Sequence, residues 1–438
     1  MISGDAYRET LRDGRAVWLD GERVDDVTEH LLLRKSVDWV AGSYDAAVDE
    51  VNPMYRVPRT QDELRAQMHV LQSSDRTAAT TAGCMALATV ADVLAAADPE
   101  YGPRLERFAA RCREQDLRVA AAIDDTARPV EVVERRNDGM VISGGKQHVV
   151  GAPVVHEVLV VPSGRSGEAD AAVACAVPVN SDGVRLIAST TAPRAEDDRH
   201  HPVSRSQSIS EAIVVFDHVF VPAERVFLAG ESAQAGTLAE TLSIWERARA
   251  VADQADRAEL ILGLAQTISE MNGILDVTHV RDKLAAIAVW AKMCRAGWEA
   301  ALANARVTRG GMVAPDDSYL YATKSYGGQL YSEMTHRLHD VAGGLVITCP
   351  TIADLENPET GDYLRKYIRT MEGVSGEDRM RIFHIIRDLT ADTYGGWDKV
   401  TNQVVGGGMH FQQMATLDTF DMGPARKRAY AAAGIPAG

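Results

Sequence analysis

The stretch Ser210–Gly230, SEAIVVFDHVFVPAERVFLAG, decides how this chain is read. β-branched and aromatic residues crowd its first half, which predicts a buried strand. Pro222 cannot donate to a sheet ladder and closes a turn. A second apolar run, from Val226, follows. The pair Asp217-His218 interrupts the apolar residues, and Ala223-Glu224-Arg225 comes after the proline.

Outward from this stretch the sequence period changes twice. Within residues 129–232, short β-branched runs recur at Val130–Val133, Met140–Ile142, Val154–Val161, Ala171–Pro178 and Val184–Ile187, punctuated by Gly, Asn, Asp and Ser. That pattern predicts an antiparallel β-module. Residues 1–128 read mainly as helix: Ala88–Ala97 is strongly helix-forming, and Arg104–Ala122 carries mixed charge over an apolar stripe. Ala16–Val24 is the exception, because Asp20-Gly21 between apolar residues predicts a hairpin turn. Residues 233–438 return to helix, with Ala235–Asn272 and Val280–Val307 long enough for a bundle. Residues 193–210 form a long polar loop, of the kind that is functional or mobile. His200-His201 in that loop reads either as a solvated pair or as metal ligands, and no nearby His, Cys or carboxylate cluster favours the metal.

The bulk properties exclude several classes. The 438 residues suffice for two or three packed modules with a large core. A net charge of −16 argues against nucleic acid or anionic lipid as partners. No apolar run is read as approaching the ~20 residues of a membrane span, and the N-terminus has no signal-peptide pattern. Five widely spaced cysteines without a C-x-x-C predict buried thiols in a reducing cytoplasm. There is no P-loop and no Rossmann G-x-G-x-x-G after a strand, so the chain shows no nicotinamide site of its own.

Several separated stretches carry a resemblance. Tyr7–His30 (YRETLRDGRAVWLDGERVDDVTEH), Asp138–Gly151 (DGMVISGGKQHVVG), Ser210–Gly230, Val280–Ala286 (VRDKLAA), Ala342–Pro350 (AGGLVITCP), Asn357–Ile368 (NPETGDYLRKYI) and Gly406–Gly408 occur in one order along the chain. Together they resemble the family of the 4-hydroxyphenylacetate 3-hydroxylase large component and 4-hydroxybutyryl-CoA dehydratase. The resemblance implies an acyl-CoA-dehydrogenase-like α+β fold: an N-terminal helical domain (1–128), a central antiparallel β-domain (129–232) and a C-terminal helical bundle (233–438). It also implies a homotetramer.

The same resemblance implies site residues. The hydroxylase branch binds its phenolic substrate with an arginine, a tyrosine and a histidine, at positions held here by Arg76, Thr80 and Ala121. The cysteines and histidine that hold an iron–sulfur cluster in the dehydratase branch correspond to Thr77, Thr81, Glu246 and Asp253. None of these is a thiolate or imidazole, so no cluster is expected. Glu211 falls at the dehydratase branch's active-site glutamate, where a carboxyl beside an apolar flavin pocket serves as acid or base; as a strand-entry residue it reads as solvated. Flavin contacts map to Ala122 and Ile123, to Arg128, to Val150 in the Lys146–Gly151 turn, and to Gly406, Gly407 and Gly408. His148 in that turn reads as a structural or a proton-transferring imidazole. Arg76 alternatively reads as a surface partner of Asp75 or Glu63. Glu246, Arg249, Asp253 and Arg257 share one helical face, either a solvated ladder or a paired set against the flavin.

The expected activity is a monooxygenase that uses reduced FAD from a separate reductase on a small or carrier-bound substrate. The alternatives are a cluster-free dehydratase or isomerase, and a non-catalytic scaffold.

Overall fold

A computed structural model describes residues 2–46, 52–163, 172–195, 197–404 and 408–436. Helices occupy both ends and strands the middle, as the change of period predicts.

The strands of the two main sheets are β1 (Val17–Leu19), β2 (Glu22–Val24), β3 (Val119–Ala122), β4 (Glu131–Arg136), β5 (Gly139–Val150), β6 (Glu157–Val160), β7 (Val173–Pro178), β8 (Val184–Thr190), β9 (Ser210–Pro222) and β10 (Val226–Ala229). They form a six-stranded sheet in the order β2-β1-β8-β9-β5-β4 and a four-stranded sheet in the order β10-β7-β6-β3. Neighbours are antiparallel except at β1·β8 and β3·β6, where strands from the N-terminal segment join in parallel. Asp20 and Gly21, both at positive φ, turn the β1–β2 hairpin.

β9 lies between β8 and β5. It is half-buried rather than fully buried: Ala212, Val214 and Phe216 point inward, then Asp217 and His218 are both exposed, then Val219 and Val221 point inward. His218 takes φ +55, an extra residue that resets the alternation by one. The opening stretch therefore reads correctly as strand, turn and strand, but with one wet face.

Three expected helices differ. Ala88–Ala97 is broken into a 3-10 turn (Leu87–Val90) and a short helix (Ala91–Ala95). The helix over Arg104–Ala122 stops at Glu114, and the last four residues are β3, because pairing with the β-branched strand β6 overrides the helix preference of alanine. Val280–Val307 is helical only through Ala303. Thr77–Ala95 also corrects the reading that no apolar run nears membrane-span length: it has 19 residues at mean hydropathy 1.5. Its sequence is apolar because 72% of it is buried inside the fold.

The polar loop is not solvated throughout. Asp388 accepts hydrogen bonds from the Val203 and Ser204 amides at 2.8 and 2.9 Å, and His200 is buried against His384. Among the described residues, no group of His, Cys, Asp or Glu is placed to hold a metal ion.

The C-terminal region is built on the 40-residue helix Ser232–Met271, with Thr278–Ala303 and Asp317–Ala342 packed beside it. The fully buried helix Thr77–Ala86 lies between this helix and β3. Two glycines set its place. A Cβ on Gly83 would lie 2.9 Å from a Leu242 methyl, and one on Gly151 would lie 2.1 Å from the Thr77 methyl.

Candidate active site

Where Thr77–Ala86, β3, β5 and the long helix meet, a cavity of about 360 Å³ opens. Ala79, Ala121, Ile123, Val150, Ala250 and Val400 give it apolar walls, and Arg76, Arg247, Arg249, Lys324, Asp124, Glu246 and His148 give it ionisable ones. A larger cavity, about 960 Å³, lies between Pro53–Pro58 and Arg309-Gly310. It holds none of the implied catalytic or flavin-contact residues, whereas the smaller one holds Arg76, Thr80, Ile123, His148, Val150 and Glu246.

Arg76 is positioned by a buried scaffold. Asp75 pairs with Arg118 at 2.8 Å, both almost fully buried, and also accepts the Thr77 amide at 2.8 Å. Asp75 is thus occupied, and the expected surface bridge from Arg76 to Asp75 or Glu63 does not form. Arg76 instead pairs with Asp253, contacts Asn402 at 3.3 Å and stacks 5.3 Å from the Trp397 ring.

The charged ladder faces inward. Arg249 is buried, holds Asp253 at 2.9 and 3.0 Å and donates to the Ser74 carbonyl at 3.1 Å. Arg257 meets Asp398 at 3.1 Å. Asp398 begins a π-helical turn, Asp398–Val404, which brings Val400, Thr401 and Asn402 to the cavity. The fourth member, Glu246, accepts no hydrogen bond from any described residue. Burial, with the Asp124 charge adding to it, pushes the Glu246 carboxyl up to about 7.

Lys324, on Asp317–Ala342, reaches the same cavity, and its Nζ donates to the Asn402 carbonyl at 3.2 Å. Burial, reinforced by Arg247, lowers its pKa to about 8. Thr80 lines the wall, but its hydroxyl is aimed at the Thr77 and Val119 carbonyls at 2.9 and 2.8 Å, so its proton is committed to the backbone. Thr77 and Thr81 likewise bond Asp75 and Val119. His148 takes φ +55 where the β5·β9 register shifts, and this bulge turns its ring toward the cavity. Glu211 lies behind the wall: its Oε1 accepts from Trp397 Nε1 at 2.5 Å, and burial raises its pKa despite that bond.

Of the implied flavin contacts, Ile123 and Val150 line the cavity. Ala122 is buried within β3, and Arg128 is exposed on the turn before β4, away from the cavity. Gly408 opens the helix Gly408–Thr419 at φ +79, whereas Gly406 and Gly407 lie outside the described residues. Sequence reasoning missed Arg247, Lys324, Trp397 and Asn402. Arg247 sits off the ladder's spacing, and the other three come from distant segments with no motif. A basic residue within the otherwise apolar and small run Leu320–Gly328 was the available signal for Lys324.

A helical bundle closed over a β-module, with a half-apolar cavity and perturbed ionisable groups at the junction, defines an enzyme acting on small molecules. The particular family follows from comparison. The chain belongs to the 4-hydroxyphenylacetate 3-hydroxylase family: the model of the family's N-terminal part matches residues 3–228 and that of its C-terminal part matches residues 235–434. It is similar to the 4-hydroxyphenylacetate 3-monooxygenase oxygenase component of Geobacillus sp. (strain PA-9), at 29% identity over 90% of this chain and 88% of the relative. It is also similar to 4-hydroxybutyryl-CoA dehydratase/vinylacetyl-CoA-Δ-isomerase of Clostridium aminobutyricum, at 25% identity over 89% and 90% of the two chains. The fold matches the crystal structure of the oxygenase component HpaB complexed with FAD (TM-score 0.89, 23% identity, 98% of each chain). It also matches 4-hydroxybutyryl-CoA dehydratase from N. maritimus (TM-score 0.88, 24% identity, 100% of this chain and 95% of that one).

Proposed function

We propose that this protein is the oxygenase component of a two-component monooxygenase, which takes reduced FAD from a separate reductase and hydroxylates a small or carrier-bound organic substrate. The observation that carries this reading is the match to the hydroxylase family through both halves of the chain, with the cavity at the junction of those halves. The residues present fit a flavin ring. Ile123, Gln147, His148 and Val150 form one wall, Val400 lies on the cavity as well, and the buried donors Arg76 Nε and Arg249 Nη1 have no protein partner. The oxygen chemistry is supplied by reduced FAD when bound; the protein's share is orientation, water exclusion and proton transfer. Arg76 orients an anionic or phenolic oxygen, and Glu246 or His148 moves a proton.

Iron–sulfur chemistry is not part of this proposal, since Thr77, Thr81, Glu246 and Asp253 offer no thiolate. Oxygen uptake with chemically reduced FAD tests the assignment. Reduced FAD that binds and then reoxidises at the rate of free flavin, with every substrate offered, rejects it. Stoichiometric iron and sulfide after anaerobic purification rejects the cluster-free reading.

One observation favours a second reading, a cluster-free dehydratase or isomerase. Glu246 is an unpartnered carboxyl titrating near 7, which suits abstraction of a proton next to a carbonyl. Turnover of an acyl thioester without oxygen separates the two. We also propose a cytoplasmic homotetramer; the five buried free thiols are compatible with a reducing compartment, and light scattering tests the assembly.

A further inference from the structure

We infer that Arg247 and Lys324 form a subsite for a delocalised organic anion, so that the ligand taken by this cavity is acidic rather than neutral. The inference rests on the proposed flavoenzyme reading for its chemistry, but not for the subsite itself. Four cationic side chains line the cavity: Arg76, Arg247, Arg249 and Lys324. One carboxylate, Asp253, is shared by Arg76 and Arg249 and ion-pairs with each, although Arg76 Nε and Arg249 Nη1 keep no protein partner. Nothing comparable serves the other two. Arg247 is 8% exposed, makes no hydrogen bond to a described residue, and its Nη1 is buried without a partner. The carboxylate that acts on it most strongly, Asp317, is paired with Arg306. Lys324 is 4% exposed, and its Nζ donates only to the Asn402 carbonyl among the described residues.

The remaining acids do not balance these charges. Asp124 lines the cavity but is exposed, Glu240 attracts Arg247 from an exposed position, and the carboxyl of Glu246, which attracts both groups, is pushed up to about 7 by burial. Burial is the main cause of the lowered Lys324 pKa, and the neighbouring Arg247 charge lowers it further. Buried cations without counter-charge are costly unless a ligand supplies it. The form of the site narrows the ligand further. The Arg247 guanidinium sits over the Tyr321 ring, its Cζ 3.9 Å from the centroid, and this contact restrains its planar set of donors. A held planar fork suits a carboxylate, or the similarly delocalised anion of a reduced flavin.

The test uses full-length protein, with benzoate and benzamide as isosteric probes that differ in charge, and with oxidised and reduced FAD. Titration calorimetry is done with the wild type, Arg247→Gln and Lys324→Met; the two variants guard against one that fails to fold. If the subsite takes the substrate, benzoate binds on the order of ten-fold or more tighter than benzamide, and either variant removes the preference without changing FAD affinity. If it takes the flavin instead, the benzoate preference is absent, and the variants weaken reduced FAD more than oxidised FAD. Equal binding of the two probes, together with an unchanged ratio of reduced to oxidised FAD affinity in the variants, overturns the inference. So does a benzoate preference that survives both substitutions. Benzoate selectivity in a protein that binds no FAD and consumes no oxygen keeps the subsite and rejects the monooxygenase assignment.

Discussion

Asp253→Asn is the sharpest perturbation of this site. Asp253 is the single carboxylate between two buried guanidinium groups, with side-chain exposures of 12% at Arg76, 13% at Asp253 and 6% at Arg249. The amide keeps the shape and removes the charge. Two charge-assisted interactions weaken, each worth roughly 1.5–3 kcal/mol. The two arginines are then left as like charges without a counter-ion, and breaking a buried pair in this way costs about 3–5 kcal/mol. Both routes lead to a loss of about 4 kcal/mol, a large share of the ~5–15 kcal/mol by which domains are stable. Arg249 also holds the Ser74 carbonyl at 3.1 Å, one residue before Asp75, so its release loosens the start of the helix that carries Arg76.

Urea unfolding followed by far-ultraviolet circular dichroism measures the loss, repeated at low and high salt. A buried triad is screened only weakly, so the difference between variant and wild type should change little with ionic strength. A loss below about 1 kcal/mol, or one that vanishes in salt, is the behaviour of a solvated surface pair and refutes the argument.

Glu246→Gln should act in the opposite direction. The wild-type carboxyl has its folded pKa raised from 4.5 to about 7, so its contribution is fully present below pH 4.5 and is lost as pH rises through 7. The variant should therefore gain on the wild type between those values, by at most on the order of 3 kcal/mol, and equal melting curves at pH 5 and pH 8 would contradict this. Arg76→Ala should cost less stability than Asp253→Asn, about 1–3 kcal/mol, because Asp253 keeps Arg249; turnover should fall further than stability does, and unchanged kcat and KM would remove Arg76 from the site. All five cysteines are free and buried, and burial raises the pKa of each thiol. A thiol-specific disulfide reagent should label them slowly in native protein and completely in denaturant, and rapid native labelling would contradict the packing.

What could be read from the sequence was what depends on local period or on fixed spacing. Glu246, Arg249, Asp253 and Arg257 recur at helical steps, so their common face is visible in the chain itself. Which way that face points is not, because the answer lies in Arg76, Asn402 and Asp398, far away in sequence. The bulge that turns His148 inward is equally invisible. It is a register shift between β5 and β9, and only the pairing of the two strands reveals it. The alanine-rich strand β3 went unrecognised as strand for the same reason: its neighbour β6, not its composition, decides its state. Asp75 and Arg118 are separated by 43 positions, and only their burial shows why Arg76 is free to leave its neighbour and reach Asp253.

Three of the carboxyls around the cavity, Asp253, Glu211 and Glu246, show how one fold sets different chemistry for one functional group. Asp253 is clamped by two arginines and serves as a fixed charge. Glu211 is held behind the wall by the Trp397 indole, and the opposing effects of burial and hydrogen bonding leave its pKa raised. Glu246 has burial without a bond, so it alone titrates near neutrality while lining the cavity. Groups whose environments push their pKa values apart mark the division between structural charge and proton carrier. Under the proposed function, that criterion assigns the proton to Glu246 and gives Asp253 the task of holding Arg76, which would position the ligand. The seven-residue step between them, two turns of one helix, keeps both tasks on one rigid element. A ligand anion at Arg247 and Lys324 would draw positive charge away from Glu246 and raise its pKa further, so that binding itself would favour the protonated acid.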